Sequence, residues 1–178
     1  IIGLSGSQSG INYQLLLNGS INIGIPIAGT GSAINFGAQA VTGNYTVIAT
    51  DPSTGCVSTM TGNVTVSPQP TANAGANATI CASSFAQLSG SATNSSGVIW
   101  STSGNGSFNN ATLLNAQYTP GTNDIATGTV VLTLTVNGAG GCVSFPVTDN
   151  VTITIDPLPV AQAGPDGNVC SNGTFMLN

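Results

Sequence analysis

The sequence predicts an all-β fold, built from tandem immunoglobulin-like antiparallel β-sandwich repeats of about 89 residues that short Pro-x-Pro linkers join. Two observations support this prediction. Apolar and polar residues alternate in segments of strand length, which Gly, Asn, Ser and Thr separate. In addition, the chain matches itself at a fixed offset, as a repeat array does.

The internal match is clearest around the Pro-x-Pro segments. Residues 68–75 (PQPTANAG) recur as residues 157–164 (PLPVAQAG), an offset of 89 residues. Residues 55–58 (GCVS) recur as residues 141–144 at an offset of 86 residues, so the first repeat differs from the second by a short loop change. Because proline fixes φ and lacks an amide donor, we expect both Pro-x-Pro segments to be short, stiff linkers.

These offsets divide the chain into three parts. We expect residues 69–157 to form a complete repeat, residues 1–68 a repeat that lacks its first strands, and residues 158–178 the first strands of a further repeat. The two incomplete parts together hold the 89 residues of one repeat. Ile1 and Ile2 resemble the interior of a strand, so we expect the chain to be a fragment of a longer polypeptide.

Five segments of the complete repeat have the composition of strands, and turn residues separate them. They are residues 85–92, 97–102, 116–119, 129–136 and 151–155. In the last two segments the apolar residues occupy alternate positions, so one face of each strand is expected to face a core. These residues are Val130, Leu132, Leu134 and Val136, and Val151, Ile153 and Ile155. Trp100, in the second segment, is expected to fill the space between the sheets.

The composition excludes several classes of function. The 178 residues include no Lys, Arg or His, and five acidic residues give a net charge of −5. Nothing can therefore neutralise phosphates, which excludes nucleic acid as a partner. Without an imidazole or lysine base no serine can be activated as a nucleophile, so we predict that the chain is not an enzyme and uses no cofactor. No apolar run approaches the roughly 20 residues of a transmembrane helix.

The four cysteines predict disulfide bonds. They occur without histidine and without a Cys-x-x-Cys pair, which does not indicate a metal or redox centre. We expect Cys81 to pair with Cys142 within the complete repeat, and Cys56 to pair with Cys170 across the junction between repeats or subunits. Because disulfides persist outside the cytoplasm, we expect the protein to be extracellular, at the cell surface.

The incomplete repeats at the two ends predict association of copies end to end. Two arrangements are consistent with this prediction. Either the chain is a window on a long tandem polypeptide, or separate subunits each lend an early strand to the next by strand addition at an open edge. Both arrangements produce a linear polymer.

Aspartates are the remaining candidates for a site. Asp156 and Asp166 flank the second linker and are candidates for a calcium site at a domain junction, because calcium prefers hard oxygen ligands. Asp149 with Asp156 and Asp156 with Asp166 are the nearest candidates for the carboxylate pair of a glycoside hydrolase, but we expect them to be solvated turn residues.

Two groups of residues resemble known repeats. The first group comprises residues 10–15 (GINYQL), 43–47 (GNYTV) and 55–56 (GC), and the second comprises residues 74–75 (AG), 79–81 (TIC) and 100–101 (WS). Together they are similar to the tandem Ig-like and PKD-like repeats of very large Bacteroidetes surface proteins, including gliding-motility adhesins exported by type IX secretion. The resemblance implies a part in cell adhesion or gliding motility. Residues 100–106 (WSTSGNG) replace the Trp-x-Phe-Gly-Asp-Gly run of a typical PKD module.

Three functions are consistent with these features. We predict a structural repeat of an extracellular bacterial surface filament or adhesin stalk, polymeric and non-catalytic. The first alternative is a carbohydrate-binding or adhesive module that contacts surface glycans, which needs several exposed aromatic rings. The second alternative is a spacer of a secreted enzyme whose catalytic domain lies outside these residues.

Overall fold

The fold is that of a computed structural model, which describes residues 1–161 and 168–174. The described residues form short strands throughout, apart from one six-residue α-helix and a 3-10 turn at Gly140–Cys142. The predicted fold class is confirmed, because these strands build the antiparallel sheets of an all-β, immunoglobulin-like sandwich protein. Asp166, one of the calcium candidates, lies outside the described residues.

The first seven strands pair only among themselves, and we call residues 1–67 the first sandwich. The strands are β1 (Gly3–Leu4), β2 (Asn12–Leu17), β3 (Ile21–Ala28), β4 (Ile34–Asn35), β5 (Gly43–Thr50), β6 (Val57–Thr59) and β7 (Val64–Val66). One sheet pairs β1 with β4, and the other has the order β3-β2-β5-β6, with β7 also paired to β5.

The remaining strands form three sheets, and we call residues 68–156 the second sandwich. The elements are β8 (Thr71–Asn73), β9 (Ala78–Cys81), β10 (Ala86–Gln87), β11 (Ser91–Thr93), β12 (Ser95–Thr102), β13 (Ser107–Phe108), β14 (Gln117–Thr119), α1 (Thr122–Thr127), β15 (Thr129–Gly138) and β16 (Val147–Asp156). The sheet orders are β10-β14-β13, β11-β8 and β12-β15-β16-β9.

The described residues fold into two compact units. One unit contains Ile1–Ala72, Ala92–Val98 and Thr135–Thr148, and the other contains Asn73–Ser91, Ile99–Leu134 and the described residues from Asp149 onwards. The loop that carries Cys142 therefore belongs to the same compact unit as the first sandwich.

The core of the first sandwich lies on the central strands β2 and β5. These strands pair in antiparallel register, with Leu15 opposite Val47 and Leu17 opposite Tyr45, and all four side chains are buried. The buried Gln14 amide is satisfied, because its Nε2 donates to the carbonyls of Leu15 and Ile23 at 2.9 and 3.0 Å. Burial alternates on β5, where Tyr45 and Val47 are buried, but every residue of β2 from Tyr13 to Leu17 is buried, so β2 is covered on both faces.

The core of the second sandwich agrees with the predicted alternation. The seven apolar residues of β15 and β16 named above are all buried, and the residues between them are more exposed. Trp100 is 2 % exposed, its Nε1 donates to the Leu113 carbonyl at 3.0 Å, and its ring stacks on Phe108 with 6.5 Å between centroids. Trp100 therefore fills the core, as expected.

Three features differ from the sequence prediction. Residues 85–92 do not form one strand, because the chain leaves the sheet of β10 and joins that of β11. The change occurs near Gly90, where any side chain would collide with Trp100. Helix α1 occupies a segment expected to be a loop, and ends at Gly128 in the left-handed region with φ of 73°. Finally, β9 pairs with β16 in parallel within otherwise antiparallel sheets.

Candidate functional site

The parallel strand β9 completes one edge of the second sandwich. Its register places Ile80 opposite Ile155 and Cys81 opposite Asp156. One residue further on, the amide of Ala82 donates to the carbonyl of Asp156 at 2.9 Å, so this carbonyl points towards the incoming strand. The early strand of a repeat thus covers the edge of the last strand of the same repeat.

The first sandwich has the corresponding last strand but no such cover. Residues 64–68 (VTVSP) are the repeat counterpart of residues 153–157 (ITIDP), which makes β7 the counterpart of the end of β16. Strand β7 pairs with β5 along one edge, and within residues 1–161 and 168–174 no strand pairs with its other edge. An unpaired edge presents backbone donors and acceptors that a further strand can bind.

The hollow beside β7 is apolar. It has a volume of about 230 Å³ and lies within the first sandwich. The apolar side chains that line it are Ile2, Leu4, Leu15, Tyr45, Val47, Met60 and Val64. Val64 is 47 % exposed, whereas its repeat counterpart Ile153 in β16 is 1 % exposed. The edge therefore combines unpaired backbone with uncovered apolar surface.

The sequence counterpart of β9 after the second Pro-x-Pro segment is unpaired in the structure. Residues 168–170 (NVC) correspond to residues 79–81 (TIC) at the repeat offset. They form no strand in the structure, and Val169, the counterpart of the half-buried Ile80, is 53 % exposed. The chain therefore carries both an edge without its strand and a strand-like segment without an edge.

The four cysteines are all unpaired in the structure. Cys81 lies opposite Asp156, at the C-terminal end of β16, whereas Cys142 lies in the turn that precedes the N-terminal end of β16. Ten residues of β16 separate these ends, about 30 Å at 3.3 Å per residue. A disulfide needs Cα atoms about 4.4–6.8 Å apart, so the structure does not bring the predicted pair Cys81 and Cys142 together.

The other predicted pair is also apart. Cys56 precedes β6 and accepts, through its carbonyl, the amide of Asp51 at 2.9 Å, while Cys170 is exposed in the last described segment. The Sγ of Cys142 instead contacts the first sandwich, where it lies 3.6 Å from the carbonyl oxygen of Ser67. Ser67 directly follows β7, so Cys142 marks the end of the uncovered edge.

Two of the candidate aspartates, Asp149 and Asp156, do not form a pair. Asp149 and Asp156 lie seven residues apart on β16, which is about 23 Å along an extended strand and too far for the carboxylates of a glycoside hydrolase. Asp149 accepts the amide of Ala74 at 2.8 Å, and Asp156 is exposed. Among the residues that the structure describes, no three His, Cys, Asp or Glu side chains are grouped as metal ligands.

One buried carboxylate was missed by sequence reasoning. Asp124 in α1 is 2 % exposed, and its oxygens accept four hydrogen bonds. The donors are the hydroxyl of Tyr118 at 2.7 Å and the amides of Gly121 at 2.9 Å, Gly106 at 3.0 Å and Asn105 at 3.1 Å. Asp124 thereby fastens the Asn105–Gly106 loop to the start of α1. Its position three residues after Gly121, as in a capping box, was the available signal.

The hydrogen bonds to Asp124 decide its protonation. Burial alone raises the pKa of Asp124, but the donated hydrogen bonds from Tyr118 and the three amides outweigh it and hold the pKa below its ordinary value. Burial is also the main reason that the pKa of Tyr118 is raised, and the neighbouring Asp124 carboxylate adds to the increase. A charged Asp124 and a neutral Tyr118 are therefore the forms that the fold favours.

Comparisons with known proteins show similarity in structure only. No protein-family model and no curated protein sequence matches the chain. A crystal structure of human CDH23 EC21-23 superposes with a TM-score of 0.38 at 10 % identity, covering 85 % of this chain and 59 % of that one. A Bacteroides ovatus mixed-linkage glucan utilization locus protein, SGBP-B, in complex with a mixed-linkage heptasaccharide, superposes with a TM-score of 0.23 at 18 % identity.

The coverage of these two structures is partial. The second comparison covers 87 % of this chain and 43 % of SGBP-B, so the chain spans less than two thirds of the length of either matched chain. Over the described residues, no helix has the length and apolar character that crossing a bilayer requires.

Proposed function

We propose that this chain is a structural repeat of an extracellular bacterial surface filament or adhesin stalk, polymeric and non-catalytic. The first sandwich is completed by an early strand from the preceding repeat. In this proposal residues 1–68, 69–157 and 158–178 are the incomplete, complete and beginning repeats. The observation that carries the proposal is the uncovered edge of β7, at the position where β9 covers β16.

The second sandwich supplies the template for this association. There β9 adds a parallel strand, and Ile80 contributes a half-buried side chain opposite Ile155. When residues 168–170 of one copy take the same place on β7 of another, the repeat offset sets Val169 opposite Val66, as Ile80 lies opposite Ile155. Each copy then offers one strand and accepts one strand, so association continues in one direction without closing.

The composition supports a stalk exposed to proteases and solvent. With 3 % charged residues and no Lys or Arg, the chain offers no site to trypsin-like proteases. Its resemblance to the repeats of large Bacteroidetes surface adhesins, including those of gliding motility, supports a place at the cell surface. A spacer within a longer surface protein has the same physical requirements, and strand completion by the neighbouring repeat serves both arrangements.

The alternative function, glycan binding, depends on exposed aromatic residues. Tyr13, Tyr45, Trp100 and Tyr118 are buried, and the exposed rings among the described residues are Phe85 and Phe145. Stacking on sugars uses exposed aromatic faces, so these two phenylalanines are the residues to substitute in a glycan-array experiment. Binding that is lost in Phe85→Ala or Phe145→Ala favours the adhesive function over the structural one.

Substitution of the donated strand tests the structural proposal. We expect Val169→Asp to abolish end-to-end association, because it places a charge opposite the partly buried Val66 of β7. Wild-type protein should form fibres in electron micrographs and large species in light scattering, and the variant should remain a single chain. Val160→Asp is the matched control, since Val160 is exposed and precedes the proposed strand.

The fold of the single chain should not change in either variant, because both valines are exposed in it. Circular dichroism and thermal melting of the monomeric protein check this. Wild-type protein that stays monomeric at high concentration, or fibres that form equally well with Val169→Asp, would overturn the proposal.

A further inference from the structure

We propose that Cys142 forms a disulfide with Cys170 of the preceding copy, and that Cys56 forms one with Cys81 of the preceding copy. Each bond then links successive repeats, instead of stapling one sandwich internally. This inference rests on the proposed end-to-end association, and it replaces the pairs Cys81 with Cys142 and Cys56 with Cys170 that the sequence alone indicates.

The register of the second sandwich shows where a donated cysteine lies. Cys81 pairs in parallel with Asp156, and the Asp156 carbonyl accepts the amide of Ala82, the residue after the cysteine. Neighbouring strands of a sheet are about 4.8 Å apart. Asp156, the last residue before the linker, therefore lies one strand spacing away from Cys81 in the early strand β9.

The first sandwich places a second cysteine at the same point. Ser67 is the repeat counterpart of Asp156, since both directly precede a Pro-x-Pro segment. Its carbonyl is contacted by the Sγ of Cys142 at 3.6 Å. In the same register, the amide of the residue after the donated Cys170 would bind the Ser67 carbonyl. The sulfur of Cys142 contacts this carbonyl, so it lies about one residue from the donated Cys170. Two cysteines this close are within reach of a disulfide, whose Cα atoms are about 4.4–6.8 Å apart.

The surroundings of Cys142 leave room for the donated strand. A groove of about 1030 Å³ is lined by Ser67, Pro68, Cys142 and Phe145, all of which belong to one compact unit. The loop that carries Cys142 is anchored here, because the amide of Gly141 donates to the Oγ of Ser67 at 3.1 Å. Cys142 is therefore held next to the edge that the donated strand covers.

The repeat offset extends the same geometry to the second pair. Cys56 is the counterpart of Cys142, and it lies at the end of the first sandwich away from Ser67, because β5 pairs Thr50 with Val57 at that end and Gly43 with Val66 at the other. Cys56 and Cys81 are both exposed. When a preceding copy docks, its Cys170 lies beside Cys142 of the accepting copy. By the same repeat relation, its Cys81 lies beside Cys56 of the accepting copy.

Formation of each bond is an oxidation that needs an external oxidant. The oxidant that we propose is a disulfide, carried by an extracellular thiol–disulfide oxidoreductase or a small-molecule disulfide. One thiolate attacks this disulfide and releases one thiol, and the second thiolate then attacks the mixed disulfide and releases the other. The two cysteine thiols lose two protons and two electrons in total, and the external disulfide is reduced to two thiols.

Double cysteine variants distinguish the two pairing schemes. In Cys56→Ser/Cys81→Ser the remaining residues are Cys142 and Cys170, and we expect oxidised protein to form a covalent ladder on non-reducing gels with no free thiols. In the matched variant Cys56→Ser/Cys170→Ser the remaining residues are Cys81 and Cys142. We expect this variant to give single chains on the same gel, with both thiols reactive towards a thiol reagent.

Each outcome has one meaning. A Cys56→Ser/Cys170→Ser variant without reactive thiols would show that Cys81 and Cys142 pair within a sandwich, and the inference would be wrong. A Cys56→Ser/Cys81→Ser variant that forms fibres in electron micrographs but no covalent ladder would also overturn the inference, while the proposed function stands. Loss of fibres in wild-type protein would overturn both. Mass spectrometry of linked peptides from the oxidised wild type should recover Cys142 joined to Cys170.

Discussion

Asp124 is a buried carboxylate whose hydrogen bonds hold together loops of the second sandwich. A carboxylate that is buried without partners costs several kcal/mol, but this one accepts four donors. Three of the donors are backbone amides of loops that lack regular structure. The charge of one side chain thus substitutes for the hydrogen bonds that a sheet would otherwise provide.

The pKa values of Asp124 and Tyr118 predict a stability that falls at both extremes of pH. The pKa of Asp124 is lowered in the fold, so its contribution is present above about pH 4, the ordinary value for Asp, and is lost as the pH falls through the lowered pKa. The pKa of Tyr118 is raised, so its contribution is present below about pH 10 and is lost as the pH rises through the raised pKa. Thermal melting across this range measures both limbs.

The variant Asp124→Asn tests whether Asp124, and not another carboxylate, causes the loss of stability at acidic pH. Its amide group turns one acceptor into a donor that faces other donors, so we expect the variant to lose about 1–3 kcal/mol near neutral pH. Asp51, whose pKa is lowered by the hydroxyl and amide of Ser53, keeps titrating in this variant. Asp156→Asn, at an exposed aspartate, is the control. An unchanged acidic limb in Asp124→Asn would show that another group controls it.

Among the elements, the loop between β12 and β13 shows how small residues allow a close approach. A Cβ at Gly106 would collide with the hydroxyl of Tyr118 and the carbonyl of Thr119. Gly104 is equally confined, because a Cβ there would collide with the Asp124 carboxylate. The WSTSGNG segment therefore needs its glycines for packing against α1 and β14.

Gly106→Ala should destabilise the second sandwich by about 1–3 kcal/mol, because overpacking forces the loop away from Tyr118 and Asp124. The matched control is Gly97→Ala in β12, where a Cβ meets nothing within 4 Å. Thermal melting should show a fall of several degrees for the first variant and little change for the second. Equal melting temperatures would mean that the loop moves without cost.

At the scale of the whole molecule, the proposed assembly has repeats supply strands to one another. The second sandwich contains its own early strand β9, whereas β7 lacks the equivalent strand among the described residues. The segment with the right sequence, residues 168–170, lies after the second linker. An edge of this kind is a risk in a monomeric protein, because it invites pairing with other chains. In a polymer the same edge is the means of assembly.

Reduction should therefore affect the assembled protein and not the single chain. The four cysteines are unpaired in the isolated chain, so we expect its melting temperature to be the same with and without a reductant. Oxidised assemblies should melt at a lower temperature once reduced, because cross-links restrict the unfolded state. A fall in the melting temperature of the monomer on reduction would instead indicate a disulfide within one sandwich.

The sequence by itself determined the strand class, the core positions and the period of the repeat. Alternate burial in β15 and β16 follows from the two-residue period of an extended strand, which is a local property. Trp100 was predictable for a related reason, since the one large ring in an apolar segment has few other places to go. The Pro-x-Pro offset needed only a comparison of the chain with itself.

Only the tertiary structure decided which distant residues meet. Cys81 and Asp156 are 75 positions apart in the chain, and their contact depends on β9 adding to β16 in parallel, which no local pattern specifies. An antiparallel addition would reverse the direction of that strand. The four donors around Asp124 likewise come from segments up to 19 residues away. Local periodicity determines which face of a strand is buried, but the partner and direction of a strand depend on contacts that form only in the folded chain.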